Sequence, residues 1–473
     1  MVSKRNLWIS LALTVAIGLV AFRVTVSTTG GFLIWSDGFA YFFHARSLVM
    51  DGDTDITNEV NEFDRRYPKE SDKGAVMESI RAFSTRDPGS GRVVAPWPIG
   101  MGLVLAPFYA IGLAVESLVA SLQGREADSY GIIPQYFFAL GSLIFGLLGF
   151  WATYLSCRGI ADQSRSYIAA LATVFGGPVV FYVFVNPSMA HAVSFGLASA
   201  LVFVWGRQWK FGTGPKAIVL PALLVGLLVT IRLQNAIFGV LLAALVMREL
   251  WRSGWLRSLS SATAGLAACA IPIGVLAMHT AKFGAAQTKI AIQHDGVVMF
   301  GSYPIHPKSP YFFDVLFSCR HGAFYWAPIL ALGLIGLVWA TRRESWAPVL
   351  LIVLALHVYL IGGMGIADPN GGSAAFDVSN WNDHWNGAPS FGMRYLTECA
   401  PIFALGLASL LNRAQPATVR LLLPISFSIL VAWNGLLILA YGLNTLSRSG
   451  CLSYGDMWAG VGKAIQKIFR VFS

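Results

Sequence analysis

Long apolar stretches separated by short polar segments dominate the pattern along this chain. A helix of about 20 residues is long enough to cross the hydrocarbon core of a bilayer. Since the stretches approach that length, the pattern predicts an all-α polytopic membrane protein with about eleven spanning helices, in a range of roughly ten to thirteen. The predicted spans are residues 7–26, 132–156, 167–185, 188–205, 217–232, 233–249, 259–280, 324–340, 347–363, 395–411 and 419–441.

The basic residues decide how the remaining apolar segment, 99–122, is placed. If this segment stays at the outer interface or dips in and returns, the short inner segments collect most of the basic residues, as the positive-inside rule requires. If it spans, most basic segments move outside, so we expect no span there. The run at 7–26 is then a signal anchor, because the core of a cleaved signal peptide is shorter. The basic residues expected inside are Lys4, Arg5, Arg158, Arg165, Arg207, Lys210, Lys216, Arg248, Arg252, Arg257, Arg342, Arg343, Arg413 and Arg420.

This topology leaves the longer polar segments on the outer side. The first outer loop, 27–130, is expected to carry juxtamembrane helices, and further outer loops follow at 281–323 and 364–393. A protein whose non-membrane residues lie mostly on one side is expected to work on that side. The tail, 445–473, is predicted as a basic amphipathic helix at the interface. We treat the 473-residue chain as one membrane domain.

Composition agrees with the bilayer as solvent. Of the residues 55% are hydrophobic and 12% charged, and the mean hydropathy is +0.61, whereas soluble domains carry about 25% charged residues. The net charge of +10 follows from the basic inner segments, so no nucleic-acid partner is expected. The five cysteines lie far apart without a CxxC, which predicts neither a zinc site nor a disulfide framework. Cys319 and Cys399 are the pair expected near the outer face, where a bridge could form.

The first outer loop opens with Trp35-Ser36-Asp37-Gly38, directly after the first span. A carboxylate at the membrane boundary is costly unless it is solvated or paired, so Asp37 is a candidate functional residue. Ser36 or Asp37 could instead cap the helix that begins at Gly38. Both interpretations are compatible with a role in chemistry.

An acidic stretch follows at Asp51, Asp53 and Asp55. Alternating aspartates suit a divalent cation such as Mg²⁺, Mn²⁺ or Ca²⁺, which prefers oxygen ligands. With Glu62 the spacing matches a calcium loop, but Ile56 stands where the sharp turn of that loop needs Gly. The stretch is therefore predicted either to hold a cation loosely or to shape the loop as a solvated turn.

These features together resemble the GT-C superfamily of polyprenyl-phosphate-dependent membrane glycosyltransferases, which includes protein O-mannosyltransferases and aminoarabinose transferases. The resemblance covers the whole chain in architecture: one span, an Asp-bearing outer loop, a Pro-x-Gly entry into an apolar segment at Pro98-Ile99-Gly100, and a long bundle. In the mannosyltransferases two acids are adjacent in the first loop, whereas here Gly38 follows Asp37. The motifs that carry it are Ser36-Asp37-Gly38, Asp51-Gly52-Asp53, Asn186-Pro187-Ser188-Met189-Ala190-His191, Ile231-Arg232-Leu233-Gln234-Asn235, Ser318-Cys319-Arg320-His321-Gly322 and Phe391-Gly392-Met393-Arg394-Tyr395.

The resemblance implies transfer of a sugar from a polyprenyl-phosphate donor to an acceptor hydroxyl on a glycan, lipid or protein, at the periplasmic face of a bacterial inner membrane. The sequence has neither a GxGxxG fingerprint nor a P-loop for a nucleotide sugar. An acceptor hydroxyl is a weak nucleophile, and a carboxylate such as Asp37 can take its proton during attack. The phosphate leaving group needs positive charge, which Arg forks supply well.

Basic residues at the predicted outer span ends are the candidates for binding the donor phosphate. A residue in such a place can also extend to lipid headgroups, and Arg394 could pair with Glu398 one turn later. The candidates are His191, Arg232, Arg320, His321 and Arg394.

The third outer loop contains a cluster that suits sugar recognition, because aromatic faces pack on sugar C–H surfaces and amides bond hydroxyls. An interfacial aromatic belt would look similar. The candidate sugar or acceptor contacts are Trp381, Asn382, Asp383 and Trp385.

Two other functions share parts of this pattern. A lipid-linked glycan flippase or transporter would be expected to have polar or broken midplane helices and related halves, but the acids here concentrate in one outer loop. A glycan ligase or polymerase of another fold would depend on a large late outer loop rather than on Asp37.

Overall fold

The structure, a computed structural model, describes residues 32–68, 77, 80–81, 84–95, 97–283, 290–292, 298–300, 303–305, 307, 311–364, 390–413, 417–448 and 450–472. The predicted first span at 7–26 and most of the third outer loop lie outside these residues. The described chain is helical with two small antiparallel sheets.

The helices follow the predicted spans closely, and several spans are built from two pieces. The 167–185 span consists of a helix and a π-helical turn, Phe181–Val185, while 3-10 turns at Leu233–Phe238 and Arg394–Cys399 open two later spans. The α-helices are α1 Gly38–Met50, α2 Thr57–Arg66, α3 Gly100–Leu122, α4 Ile132–Cys157, α5 Gln163–Gly176, α6 His191–Phe211, α7 Lys216–Ile231, α8 Gly239–Ser253, α9 Trp255–Phe283, α10 Phe312–Phe317, α11 Ala323–Trp326, α12 Ile329–Ala340, α13 Ala347–Gly363, α14 Ala400–Arg413, α15 Ala417–Gly442 and α16 Tyr454–Phe472.

Length and composition identify helices that can cross a membrane. Among the described residues these are Gly100–Leu122, Ile132–Cys157, Leu233–Ser253, Trp255–Phe283, Arg394–Arg413 and Leu422–Gly442. Shorter apolar helices stand beside them in the bundle. Helices α12 and α14 pack backbone to backbone around Gly406. A side chain on Gly406 would collide with the carbonyl of Gly333, and one on Gly336 would collide with the carbonyl of Gly406. Such small-residue contacts are typical of helix packing in membranes.

Helix α3, which covers the apolar segment not expected to span, begins and ends at the same end of the bundle. Its first residue, Gly100, packs on Thr230 at the end of α7. The loop after α3 contacts the first outer loop, because Asp128 pairs with Arg66 of α2 at 2.9 Å. At the opposite end of α4, Ile160 accepts a hydrogen bond from Asn412. So α3 has the length of a span, but its contacts do not take the chain across the bundle.

The short basic segments gather at this opposite end. Arg165 bonds Asn412 at 3.3 Å, Arg413 pairs with Glu344 at 3.6 Å, and Arg248 donates to the carbonyl of Gln208. Residues 158–165, 207–216, 341–346 and 412–413 therefore form one basic end of the bundle. The first outer loop and the breaks before α6 and α8 lie at the other end, which we call the loop end.

The loop between α9 and α10 contains a small sheet that the helical pattern did not predict. Strands β3 Ile290–Ile292, β4 Val298–Phe300 and β5 Tyr303–Ile305 pair in order, and Ile305 bridges to Met364 after α13. Another sheet, of the two strands β1 Thr85–Arg86 and β2 Val93–Val94, lies earlier in the chain, in the first outer loop. Strands this short are invisible to a search for spanning periodicity.

One disulfide is present, and it is not the Cys319–Cys399 bridge considered from the sequence. Cys319 forms a disulfide with Cys451, not with Cys399. Cys399 is buried in the 3-10 turn that opens a span, with a free thiol. Cys451 reaches Cys319 because the chain returns after α15, where the amide of Leu452 donates to the carbonyl of Cys319. The start of the tail is thereby joined to the turn before α11.

Candidate active site

A cavity of about 300 Å³ opens at the loop end of the bundle. Its walls come from the first outer loop, the breaks before α6 and α8, the end of α13 and the 3-10 turn before α14. Most of the lining is apolar, and the polar groups converge from separate parts of the chain. These are Asp37, His191, Arg232, Gln234 and Arg394, with the aromatic residues Tyr41, Trp97 and Tyr395 beside them.

Asp37 reaches the cavity from the turn before α1. Ser36 holds a left-handed backbone, φ +53°, and its hydroxyl donates to the Asp37 carboxylate at 3.2 Å. A non-glycine residue in this conformation is uncommon and is typical of turns with a function. Asp37 occupies the N-cap position of α1, but neither of its carboxylate oxygens caps the helix. Thus Asp37 does not cap the helix with its side chain, and it lines the cavity.

The turn before α6 holds this aspartate turn in place. The hydroxyl of Ser188 accepts from the amide of Trp35 at 3.2 Å and donates to the side-chain oxygen of Asn186 at 2.9 Å. Gly38 lies so close to Ser188 that a Cβ there would stand 2.6 Å from the serine Cβ. Two motifs far apart in sequence therefore form one support.

Arg232 lies where α7 breaks into the 3-10 turn, with an extended backbone. One terminal nitrogen, Nη1, contacts His191 Nδ1 at 2.7 Å and donates to Glu398 Oε1 at 2.8 Å. The other, Nη2, donates to Gln234 Oε1 at 3.3 Å. Because a guanidinium only donates, His191 Nδ1 accepts here. Arg232 therefore faces the cavity from a fixed position rather than extending to lipid headgroups.

Arg394 faces the same cavity from the next wall. It donates to the Tyr395 hydroxyl at 2.9 Å and stacks over that ring at 4.8 Å, while Arg232 approaches the ring at 5.2 Å. The charge of Asp37 acts on Arg394 across the cavity. The predicted Arg394–Glu398 pair was wrong, since Glu398 pairs with Arg232. The spacing rule assumed an α-helix, whereas this turn is a 3-10 helix.

Arg320 and His321 do not line the cavity but lie next to it. His321 is buried and stacks on Trp326 with 5.5 Å between ring centres. Burial, with the charges of Arg394 and Arg320, lowers the pKa of His321 to about 3. This histidine is therefore neutral near neutral pH and supplies no positive charge. The amide of Arg320 donates to the Ser318 hydroxyl at 3.2 Å.

The carboxylates of the acidic stretch each bond to groups of the loop itself. Asp53 accepts from the Ser47 hydroxyl at 2.6 Å, Asp55 pairs with Arg92 at 3.2 Å, and Asp51 accepts from Asn58 at 2.9 Å. Glu62, the remaining residue of the calcium-loop spacing, pairs with its helix neighbours Arg65 and Arg66. In the part of the chain that the structure describes, no group of three or more His, Cys, Asp or Glu side chains could hold a metal ion.

One set of predicted residues lies outside the part of the chain that the structure describes, and three residues of the polar network had not been assigned to the site. Trp381, Asn382, Asp383 and Trp385 lie outside the described residues. Gln234, Tyr395 and Glu398 belong to the polar network without having been assigned these contacts. Gln234 and Tyr395 stand inside motifs already identified, so they could have been proposed from their neighbours, whereas only the tertiary structure brings Glu398 to Arg232.

One carboxylate and two guanidinium groups thus share a small cavity with apolar walls. Arg394 has Asp37 in front of it, and Arg232 has Glu398 behind it. A carboxylate can accept a proton from a hydroxyl, and guanidinium groups can bind a phosphate through parallel hydrogen bonds. The arrangement suits a reaction between a hydroxyl and a phosphate-bearing substrate.

The architecture places the chain among membrane proteins with the GT-C glycosyltransferase fold. The crystal structure of ArnT from Cupriavidus metallidurans in the apo state matches 93% of this chain and 64% of that chain, with a TM-score of 0.51 and 15% identity. ArnT from the same organism bound to undecaprenyl phosphate matches with a TM-score of 0.48 and 14% identity, over 96% of this chain and 74% of that chain.

The chain thus spans a little under two thirds of the length of the apo ArnT chain. No family model matches the sequence. No curated protein matches it either. The shared fold accordingly identifies a multi-pass membrane protein of GT-C architecture, and the chemistry has to be argued from the cavity.

Proposed function

We propose that this protein is a membrane glycosyltransferase that moves a sugar from a polyprenyl-phosphate donor to an acceptor hydroxyl. Asp37 acts as the general base, and Arg232 and Arg394 bind the phosphate. The observation that carries the proposal is the convergence of these three side chains on one cavity. In the GT-C fold shared with ArnT, a cavity at the loop end is a reasonable place for a lipid donor to meet its acceptor.

The proposed reaction uses each charged group once. The acceptor hydroxyl attacks the anomeric carbon, its proton passes to the Asp37 carboxylate, and the bond from that carbon to the phosphate oxygen breaks. The departing phosphate is already a stable anion, so positive charge serves it better than a strong acid. Arg232 and Arg394 supply that charge, while Arg320 and the neutral His321 support this wall from behind. A role for a divalent cation stays a sequence prediction.

The orientation in the membrane is also part of the proposal. The basic segments gather at the end of the bundle opposite the cavity, and the positive-inside rule assigns that end to the cytoplasm. The cavity then faces the periplasm of a bacterial inner membrane. Disulfides persist in oxidising compartments, so the Cys319–Cys451 bond at the loop end supports the same orientation.

A deletion strain tests the proposal. Three versions of the strain are prepared: one without a plasmid, one that carries the wild-type gene and one that carries the Asp37→Asn variant. Their surface glycans are compared by mass spectrometry. We expect the empty strain and the variant to lack the same single sugar while the variant protein accumulates in the membrane. Normal glycan with Asp37→Asn would refute the base assignment, and accumulation of unflipped lipid-linked glycan would indicate a flippase.

A further inference from the structure

A buried carboxylate stands directly behind Arg232. Glu398 is fully buried, and its Oε1 accepts from Arg232 Nη1 at 2.8 Å. The same nitrogen contacts His191 Nδ1 at 2.7 Å, and the hydroxyl of Ser194 faces the carboxylate from the next turn of α6. Burying a carboxylate is costly unless it is paired and hydrogen-bonded. Here the pairing falls on Oε1, which Arg232 contacts from the end of another helix.

The two edges of the Arg232 guanidinium therefore differ. The Nη1 edge is held by two buried partners at short distances. Among the residues that the structure describes, the Nη2 edge bonds only to Gln234, at 3.3 Å, and Gln234 itself lines the cavity. A hydrogen bond of this length exchanges easily for a stronger, charge-assisted bond to an anion.

We propose that Glu398 is a positioning residue that holds Arg232 by its Nη1 edge, so that the Nη2 edge is presented to the phosphate of the donor lipid. The proposal rests on the proposed function. Without Glu398, the guanidinium would lose its charged partner and could turn toward Asp37 or leave the cavity wall. Gln234 occupies the Nη2 edge until the phosphate replaces it.

A structural role alone would predict something different. If Glu398 merely stabilises the bundle, its removal should lower stability in the same way as removal of any buried acid. If it acts through Arg232, its removal should matter only while Arg232 is present. Glu249 offers a matched control, because it is a buried glutamate of α8 at the basic end, far from the cavity.

The experiment compares purified Glu398→Gln, Arg232→Gln, the double variant and Glu249→Gln in detergent. Transfer is measured with a polyprenyl-phosphate sugar, and binding with polyprenyl phosphate alone. We expect Glu398→Gln to lower kcat/KM for the donor by roughly 10²-fold, the scale of a misplaced binding group, with the acceptor KM unchanged. The double variant should be no worse than Arg232→Gln, because coupled residues are not additive. Glu249→Gln should behave as wild type.

Two results would overturn the proposal: normal donor kinetics in folded Glu398→Gln, or a double variant that loses the sum of both single effects. If Glu398→Gln fails to fold, Glu398→Asp replaces it. Aspartate keeps the charge but is shorter, so we expect a smaller loss in donor kcat/KM, and wild-type kinetics would refute the positioning role.

Failure of the proposed function gives another pattern. In that case wild type transfers no sugar, yet binding of polyprenyl phosphate still reports on Glu398. Weaker binding in Glu398→Gln than in Glu249→Gln would support the positioning role without transfer. Equal binding in both would refute it.

Discussion

Gly38 and Ser188 touch at a distance that leaves no room for a side chain on the glycine, since a Cβ would stand 2.6 Å from the serine Cβ and Oγ. This contact fixes the turn that carries Asp37 against the turn before α6. We expect Gly38→Ala to push the two turns apart and to lower kcat by about 10²-fold through misplacement of the carboxylate. A transfer assay on purified protein measures this.

The control for this prediction is Gly435→Ala in α15, where a Cβ would meet nothing within 4 Å. Alanine is a better helix former than glycine, so this variant should keep full activity and lose no stability. Equal activity in both variants would show that the Gly38–Ser188 contact does not position the base.

The Asp37 carboxylate should matter for the chemical step and not for donor binding. We expect Asp37→Asn to lower kcat by about 10²- to 10⁴-fold, the usual contribution of a general base, while the KM for the donor changes little. Steady-state kinetics with a polyprenyl-phosphate sugar measures both parameters.

Asp87→Asn is the matched control for Asp37→Asn, because this carboxylate lies in an exposed turn of the same loop and accepts from Ser90. It should leave both parameters unchanged. If Asp37→Asn raised the donor KM and spared kcat, the residue would bind substrate instead of taking a proton.

The planar shape of Arg394 should be as important as its charge. Arg394→Lys keeps the charge but loses the stacking on Tyr395 and the fork that matches a phosphate. We expect the donor kcat/KM to fall about tenfold, which corresponds to roughly 1.4 kcal/mol. Arg343→Lys, at an exposed turn of the basic end, should have no effect. A donor kcat/KM that does not change in Arg394→Lys would mean that Arg394 acts as a point charge only.

Much of the fold could be predicted from the sequence, because spanning helices have a strong signal. The prediction of a GT-C-like membrane bundle is confirmed by the structural match to ArnT. The observed α13, Ala347–Gly363, has the bounds of the predicted span. Breaks such as Leu233–Phe238 were not visible, since apolar runs do not distinguish 3-10 from α-helix.

The site was only partly predictable, for a physical reason. Short motifs led to Asp37, Arg232 and Arg394 one at a time, and the structure brings these three to one cavity. Their partners are set by tertiary contacts that no local spacing encodes. The Glu398–Arg232 pair spans 166 positions, and the nearest acid in sequence to Arg394 proved to belong to another arginine.

The buried His321 should make stability depend on pH. Its pKa is lowered from 6.5 to about 3 by burial and by the charges of Arg394 and Arg320. Below pH 6.5 the unfolded chain therefore binds a proton that the folded chain does not, so stability is complete above 6.5 and falls as the pH decreases. We expect wild type to lose roughly 1 kcal/mol between pH 6.5 and 5.5 from this group.

Thermal unfolding in detergent at several pH values tests this prediction against His321→Gln. Glutamine does not titrate, so the variant should show a flatter dependence between pH 7 and 5. Parallel curves for both proteins would show that His321 takes up its proton equally in the folded and the unfolded chain, and so that its pKa is not lowered by folding.

The Cys319–Cys451 disulfide joins two segments 132 positions apart, and it holds the start of α16 against the turn that contains Arg320 and His321. Because a bond that closes so long a loop restricts the unfolded chain strongly, we expect Cys451→Ser to lower the free energy of unfolding by about 2–4 kcal/mol.

Thermal unfolding with and without a reductant measures this. Reduction of wild type should lower its unfolding midpoint to about that of Cys451→Ser, whereas a reductant should leave the midpoint of Cys451→Ser unchanged. Cys269→Ser, which removes a free thiol of α9, is the control and should retain the response to reductant. A midpoint of Cys451→Ser that falls with reductant would mean that another cysteine pair forms the bond. If neither the reductant nor Cys451→Ser changed the midpoint from that of wild type, the disulfide would not hold the tail against this wall of the site.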